Sequence, residues 1–180
     1  KFKEDKVRGH LVRIGGFPED SLPMEPILGM DPEAAPSGGC PLPGRGPFRC
    51  RNKSQYPFGR AKDGRIIYGF YAGRTHSIVE VEDCLLAAPE SAKILKTVKA
   101  FMEETGLEPY DEVSHRGLLR HVLIRTGFHT GEIMVCLVIN GTELPRSERL
   151  CARLMELPGM TSISLNINRE RTNVILGRDM

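Results

Sequence analysis

The residues of this chain best suited to chemistry are cations set at alternate positions. They lie in Arg49-Cys50-Arg51-Asn52-Lys53-Ser54-Gln55-Tyr56-Pro57-Phe58-Gly59. An extended backbone turns successive side chains to opposite faces. Arg49, Arg51 and Lys53 are then expected on one face. Phe48, Cys50, Tyr56 and Phe58 are expected on the other, with Asn52 and Ser54 between them. Three cations on one strand face suit contact with nucleic-acid phosphates. They suit equally a solvated edge strand that uses charge against aggregation, and the residues alone leave both readings open. A second polar cluster is Leu119-Arg120-His121-Val122-Leu123-Ile124-Arg125, where alternation puts His121 and Arg125 on one face and Arg120 on the other.

The elements that must hold these clusters are legible nearby. Arg65 to Tyr71 is rich in β-formers and follows a turn containing Asp63-Gly64, which predicts a hairpin with the first strand. Phe2 to Ile14 reads as a helix with Val7, Leu11 and Ile14 as its apolar stripe and Gly15-Gly16 as its stop. Pro89 to Glu104 is a second helix, with Ile94, Leu95, Val98, Phe101 and Met102 on one face and Gly106 ending it. Leu118–Arg125 and Glu132–Asn140 are predicted strands, the latter apolar on both faces and therefore central. Pro145–Leu157 is a third helix. Thr161–Ile167 is a strand with Ile163, Leu165 and Ile167 inward and Ser162, Ser164 and Asn166 outward, and Val174–Leu176 is a last short strand. The order β-β-β-α-β-β-α-β-β predicts an α+β fold, a mostly antiparallel sheet with helices packed on one face. Asp31 to Pro47 is Pro, Gly, Ala and Ser without periodicity and reads as a loop.

Composition sets the outer bounds. A formal charge of +2 over 180 residues is too mild to imply nucleic acid by itself. The length suits one domain with a substantial core. No apolar run approaches membrane-spanning length, so no membrane partner is expected. Five cysteines without a secretion signal are expected of a reducing, cytoplasmic protein. The chain starts at Lys1 and ends in Gly177-Arg178-Asp179-Met180, which reads as a piece cut from a longer protein.

Taken together, Arg-x-Arg-Asn-Lys-x-Gln-x-Pro-x-Gly at Arg49–Gly59, Gly69-Phe70-Tyr71, His76-x-Ile78-Val79 and Cys84 before a Leu-rich segment resemble one family. It is the S-adenosylmethionine-dependent RNA uracil-5-methyltransferases, and the bacterial ribosomal-RNA branch is the most similar. The helix Phe-Lys-x-x-x-Val-x-x-x-Leu-x-Arg-Ile-Gly-Gly and the Arg-His-x-x-x-Arg strand are also similar to family members. The resemblance covers Phe2 to Met30 and Phe48 to Leu176, and the Asp31–Pro47 loop departs from it. It implies a central, RNA-contacting domain, with residues 1–30 as entry helix and strand, 31–47 as the loop and 48–180 as the domain proper. The family's N-terminal barrel and C-terminal methyltransferase domain have no counterpart in this sequence. The implied RNA-binding residues are Arg49, Arg51, Asn52, Lys53, Arg74, His76, Arg120, His121 and Arg125. For Arg120, His121 and Arg125 the residues themselves allow a core-edge histidine and two salt-bridged arginines equally well.

Many bacterial members bind a four-iron, four-sulfur cluster, and Cys84 matches one of its ligands. Such a cluster takes four thiolates, so none is expected intact here. Cys136 and Cys151 sit in apolar periodic elements and read as core, and Cys50 reads as packing. Gly38-Gly39-Cys40 echoes the family's cluster motif at the wrong position and reads as chance. No Gly-rich loop follows a strand with an acidic residue beyond it, so the S-adenosylmethionine site is expected outside this chain. The fragment alone is expected to be an inactive monomer whose partner is RNA, ribosomal before transfer. The rival reading is a non-catalytic RNA-binding module with an RNA-recognition-like or ferredoxin-like sheet, using Tyr68, Phe70 and Tyr71 for stacking. A small iron–sulfur protein built on Cys40, Cys50 and Cys84 is a third.

Overall fold

The computed structural model describes residues 1–28 and 48–179. The Asp31–Pro47 loop, Cys40 within it and the final Met180 lie outside the described residues. The elements in chain order are α1 (Phe2–Arg13), β1 (Lys53–Arg60), β2 (Ile66–Tyr71), β3 (Ile78–Glu80), α2 (Glu90–Thr105), β4 (Leu119–Thr126), β5 (Ile133–Ile139), α3 (Ser147–Met155) and β6 (Met160–Ile167). Among the described residues the strands make one sheet in the order β3-β2-β1-β4-β5-β6. Every pairing is antiparallel except β5 with β6. The predicted α+β architecture is the one observed.

Local signals place the elements. Asp63 accepts the Arg65 amide at 3.0 Å and Gly64 takes φ +85°, which closes the β1–β2 hairpin. Gly106 at φ +70° stops α2 in the left-handed conformation that glycine adopts without strain. Strand β5 is apolar on both faces and lies inside the sheet between β4 and β6, one strand from the edge and not at its centre. Ile133, Val135, Leu137 and Ile139 join the main core with Ile94, Leu95, Val98, Phe101 and Met102 of α2 and Leu150 and Leu154 of α3. Each side chain of this size, fully buried, contributes about 1.5–3 kcal/mol. On the opposite face Leu123, Cys136 and Val138 make a smaller cluster against Met134 and Ile175.

The structure corrects several sequence expectations. β1 begins at Lys53, so Arg49 and Arg51 precede the strand, and Arg49 has φ +55°. The Arg49–Arg51–Lys53 row on one strand face is therefore not formed. Val174–Leu176 is not a strand. The carbonyls of Val174 and Ile175 accept from the Asn168 side chain instead of a neighbouring strand. Asn166 does not face solvent: it is buried and donates to the carbonyls of Gly177 and Asp179. Residues 22–28 have no regular structure, and the end of the expected entry segment, residues 29–30, lies outside the described residues. Helix α1 buries none of its residues, and Val7 and Ile14 of its apolar stripe are exposed. Tyr68 and Phe70 are turned toward the helix side, where Tyr68 packs on Phe58 and Phe70 on Tyr56. They are not presented for stacking.

Candidate nucleic-acid interface

The antiparallel ladders bring one group of expected residues to one end of the sheet. Lys53 stands opposite Arg125 in the β1–β4 register. Just before it, the carbonyl of Asn52 accepts the Thr126 amide at 2.8 Å, which extends the pairing. The β2–β3 turn, carrying Arg74 at φ +62°, lies at the same end because β2 runs antiparallel to β1. Arg51, Asn52, Lys53, Arg74 and Arg125 are all exposed. Among the described residues none of these four cations forms an ion pair. Other arginines do: Arg60 with Glu108, Arg65 with Asp63, and Arg149 and Arg153 with Glu104. Like charges directly opposite on a sheet repel, so Lys53 and Arg125 make a point of positive potential that an anion would relieve.

Arg49 is elsewhere. One Nη donates to Asp83 Oδ1 at 2.7 Å, to the Cys84 carbonyl at 2.7 Å and to the Ala87 carbonyl at 3.2 Å. The other donates to Asp83 Oδ2 at 2.5 Å. The ion pair holds the Asp83 carboxyl below its usual range. Arg49 thus ties the chain before β1 to the segment before α2, and its donors are committed there.

Arg120 is also internal. A bulge between Leu119 and His121 breaks the alternation of β4. The Arg120 guanidinium lies 4.3 Å over the Tyr110 ring and donates to the carbonyls of Asn168 and Glu170 at 2.8 Å and of Thr172 at 3.1 Å. With 3% of its surface exposed it is a clamp on residues 168–172. Its neighbour His121 is 6% exposed, sits beside Pro57 on β1 and meets the Tyr71 ring edge-on. Burial, and then the Arg120 charge, pull its pKa down to about 4, so it is neutral near pH 7. His121 thus sits as a core-edge histidine, while Arg120 is held by backbone carbonyls and an aromatic ring instead of the salt bridge its sequence allowed.

His76 belongs to a third group that the sequence did not single out as a unit. Its Nδ1 pairs with Glu112, which also accepts from the Tyr71 hydroxyl at 3.1 Å. Burial, and then the Glu112 charge, push the Tyr71 phenol above its ordinary pKa, which keeps it a neutral donor. Glu112 lies in the loop between α2 and β4, a stretch without periodicity. Its length was the one available signal, since long loops inside compact domains tend to be functional. Asp111 builds the loop by accepting the amides of Val113 and Ser114 at 2.7 and 2.8 Å. Tyr110 and His115 are joined through hydroxyl and Nδ1 at 2.5 Å.

Neither expected cofactor fits the described residues alone. Cys84 is half-buried, and no group of three or more His, Cys, Asp or Glu able to hold a metal occurs among the described residues. The β3–α2 connection contains no glycine and the β5–α3 connection only Gly141, so neither offers a Gly-rich cradle for S-adenosylmethionine. Among the described residues no helix is long and apolar enough to cross a membrane.

No family model matches the chain. Its sequence is 38% identical over 179 residues to a protein of Clostridium tetani named an uncharacterized RNA methyltransferase. That match covers 99% of this chain and 35% of the relative. It is 38% identical over 178 residues to a protein of the same description from Halalkalibacterium halodurans, covering 98% and 35%. A Staphylococcus epidermidis protein, again an uncharacterized RNA methyltransferase, is 41% identical over 133 residues, covering 73% and 29%. The chain thus spans about a third of the length of the curated relatives it matches. Among solved structures, a Pyrococcus abyssi tRNA (uracil-54, C5)-methyltransferase in complex with S-adenosyl-L-homocysteine matches with TM-score 0.61 and 25% identity. It covers 74% of this chain and 31% of that one.

Proposed function

The chain belongs to the RNA uracil-5-methyltransferase family, and on that premise we propose that it is the RNA-contacting central domain of an enzyme that methylates C5 of a uridine in RNA. The substrate in this reading is 23S ribosomal RNA. Residues 48–180 are the domain and residues 1–30 lead into it. S-adenosylmethionine supplies the methyl group and is held by the rest of the parent protein. There, a cysteine would add to uracil C6 and make C5 nucleophilic; once C5 has taken the methyl group, a base would remove the C5 proton as the C6–sulfur bond breaks and frees the cysteine. This chain's own contribution is to bind and orient the RNA backbone, so the isolated piece is an inactive, cytoplasmic monomer.

The observation that carries the reading is the exposed opposition of Lys53 and Arg125, with Arg51, Asn52 and Arg74 at the same end of the sheet. Phosphate contacts position a protein on nucleic acid without reading its sequence. Such contacts suit a domain that presents RNA to a catalytic site elsewhere. The alternative, a stand-alone stacking module, loses two of its three aromatics to the core, since Tyr68 and Phe70 pack against Phe58 and Tyr56.

The test is methyl transfer from labelled S-adenosylmethionine by the parent protein to a 23S ribosomal RNA fragment and, separately, to transfer RNA. Incorporation at a single uridine of the ribosomal fragment supports the reading. Incorporation into transfer RNA alone removes the ribosomal assignment. Incorporation into neither, with no RNA retained by this chain, overturns it.

A further inference from the structure

Between the 108–117 loop and the segment 168–173 lies a cleft of about 630 Å³, walled by Tyr110, Glu112, His115, Arg120, Arg171 and Asn173 together with His76. This volume falls in the range of small-ligand sites. Its walls are built. Asp111 caps the turn at Val113 and Ser114. Gly117, at φ +90°, lets β4's lead-in pass so close to Pro109 that a Cβ there would lie 2.0 Å from the Pro109 carbonyl oxygen. Arg120 fixes the facing wall through three carbonyls. A pre-formed cleft spares a ligand the cost of ordering it.

The cleft's chemistry favours an anion flanked by hydrogen-bonding groups. Its one carboxylate, Glu112, already accepts from His76 and Tyr71. His115 uses Nδ1 on Tyr110 and His76 uses Nδ1 on Glu112, so in each ring Nε2 is the nitrogen left for a ligand. Arg171 is exposed and forms no ion pair among the described residues, and Asn173 beside it adds an exposed amide. We propose that this cleft is a second RNA contact, distinct from the Lys53–Arg125 end of the sheet, that takes one phosphodiester of the strand with its nucleoside. The phosphate lies against Arg171 and the His115 ring, and Asn173 meets the sugar or base edge. The proposal rests on the RNA reading above. Arg120 acts in it as a positioning residue, since its Nη donors hold the wall.

The experiment is a titration of the ¹⁵N-labelled 180-residue chain with an eight-nucleotide uridine-containing RNA, followed by amide NMR and by fluorescence anisotropy at several salt concentrations. Amide shifts at residues 110–116 and 170–174, alongside those near Lys53 and Arg125, are expected. In Arg171→Ala/Asn173→Ala, both surface positions, the first set should vanish and the salt slope should fall by about 0.7. Lys53→Ala/Arg125→Ala should keep the cleft shifts while weakening binding. Shifts confined to the Lys53–Arg125 end would overturn the cleft and leave the RNA reading standing. Saturating RNA that moves neither set would remove both.

Discussion

Lys53 and Arg125 face each other directly across the β1–β4 ladder, both exposed and neither paired with an acid among the described residues. The apposition works against the fold, because like charges opposite on a sheet repel by a few tenths to about 1 kcal/mol. It favours any ligand that brings phosphate to that end.

The two effects separate in one variant. Lys53→Thr, which puts a good strand former at the site, is expected to raise stability by about 0.2–1 kcal/mol at low salt, with the gain shrinking as salt screens the pair. The same change should weaken RNA binding. Lys53→Ala with Arg125→Ala should flatten the salt slope by about 1.4, while Arg149→Ala with Arg153→Ala, which removes cations paired to Glu104, should leave it unchanged. Equal losses in both double variants would reduce the Lys53–Arg125 pair to solubilising charge.

Arg49 gives the opposite signature. Arg49→Ala removes a fork onto Asp83 and two carbonyl contacts. It is expected to cost about 1–3 kcal/mol in denaturant unfolding, with the RNA salt slope intact. A lowered slope with unchanged stability would make Arg49 an RNA contact and not a structural tie.

Arg120→Ala is expected to be among the most damaging single changes, at about 2–4 kcal/mol, because three carbonyls lose their donor under burial. Hydrogen exchange should quicken first in residues 168–179. Arg120→Lys should recover little, since an ammonium cannot reproduce the planar fork. Full recovery by lysine would mean that charge alone matters at this position.

The buried imidazole of His121 predicts an acid-side loss of stability. Its folded pKa, about 4, lies below the ordinary 6.5. Below pH 6.5 the unfolded chain therefore takes up the proton first, and stability falls as pH drops from about 6.5 to about 4, then levels. The shift corresponds to about 3 kcal/mol across that window. Thermal or denaturant unfolding of His121→Gln should show a shallower pH dependence there. A slope identical to that of the parent chain would place the titration on another group.

What the sequence determined by itself is what acts over a few residues. Apolar spacing in Ile94, Leu95, Val98, Phe101 and Met102 specified α2 and its buried face, and Gly106 its end. Asp63-Gly64 specified the hairpin, and the two-sided apolar run of β5 specified an interior strand, paired on both sides by β4 and β6. The family was legible too, because its motifs are local strings.

The work of each charged residue was decided only in three dimensions. Arg49 and Arg51 looked like part of a strand row, but Arg49 finds Asp83, 34 positions away. Arg120 finds its acceptors 48 to 52 positions on, at a register shift in β4 that alternation cannot foresee. The 108–117 loop carries no period, so Glu112 and its cleft had no sequence signature beyond length. A periodic pattern says which face a side chain takes. Its partner depends on register, bulges and the path of distant loops, and these are settled only when the whole sheet packs.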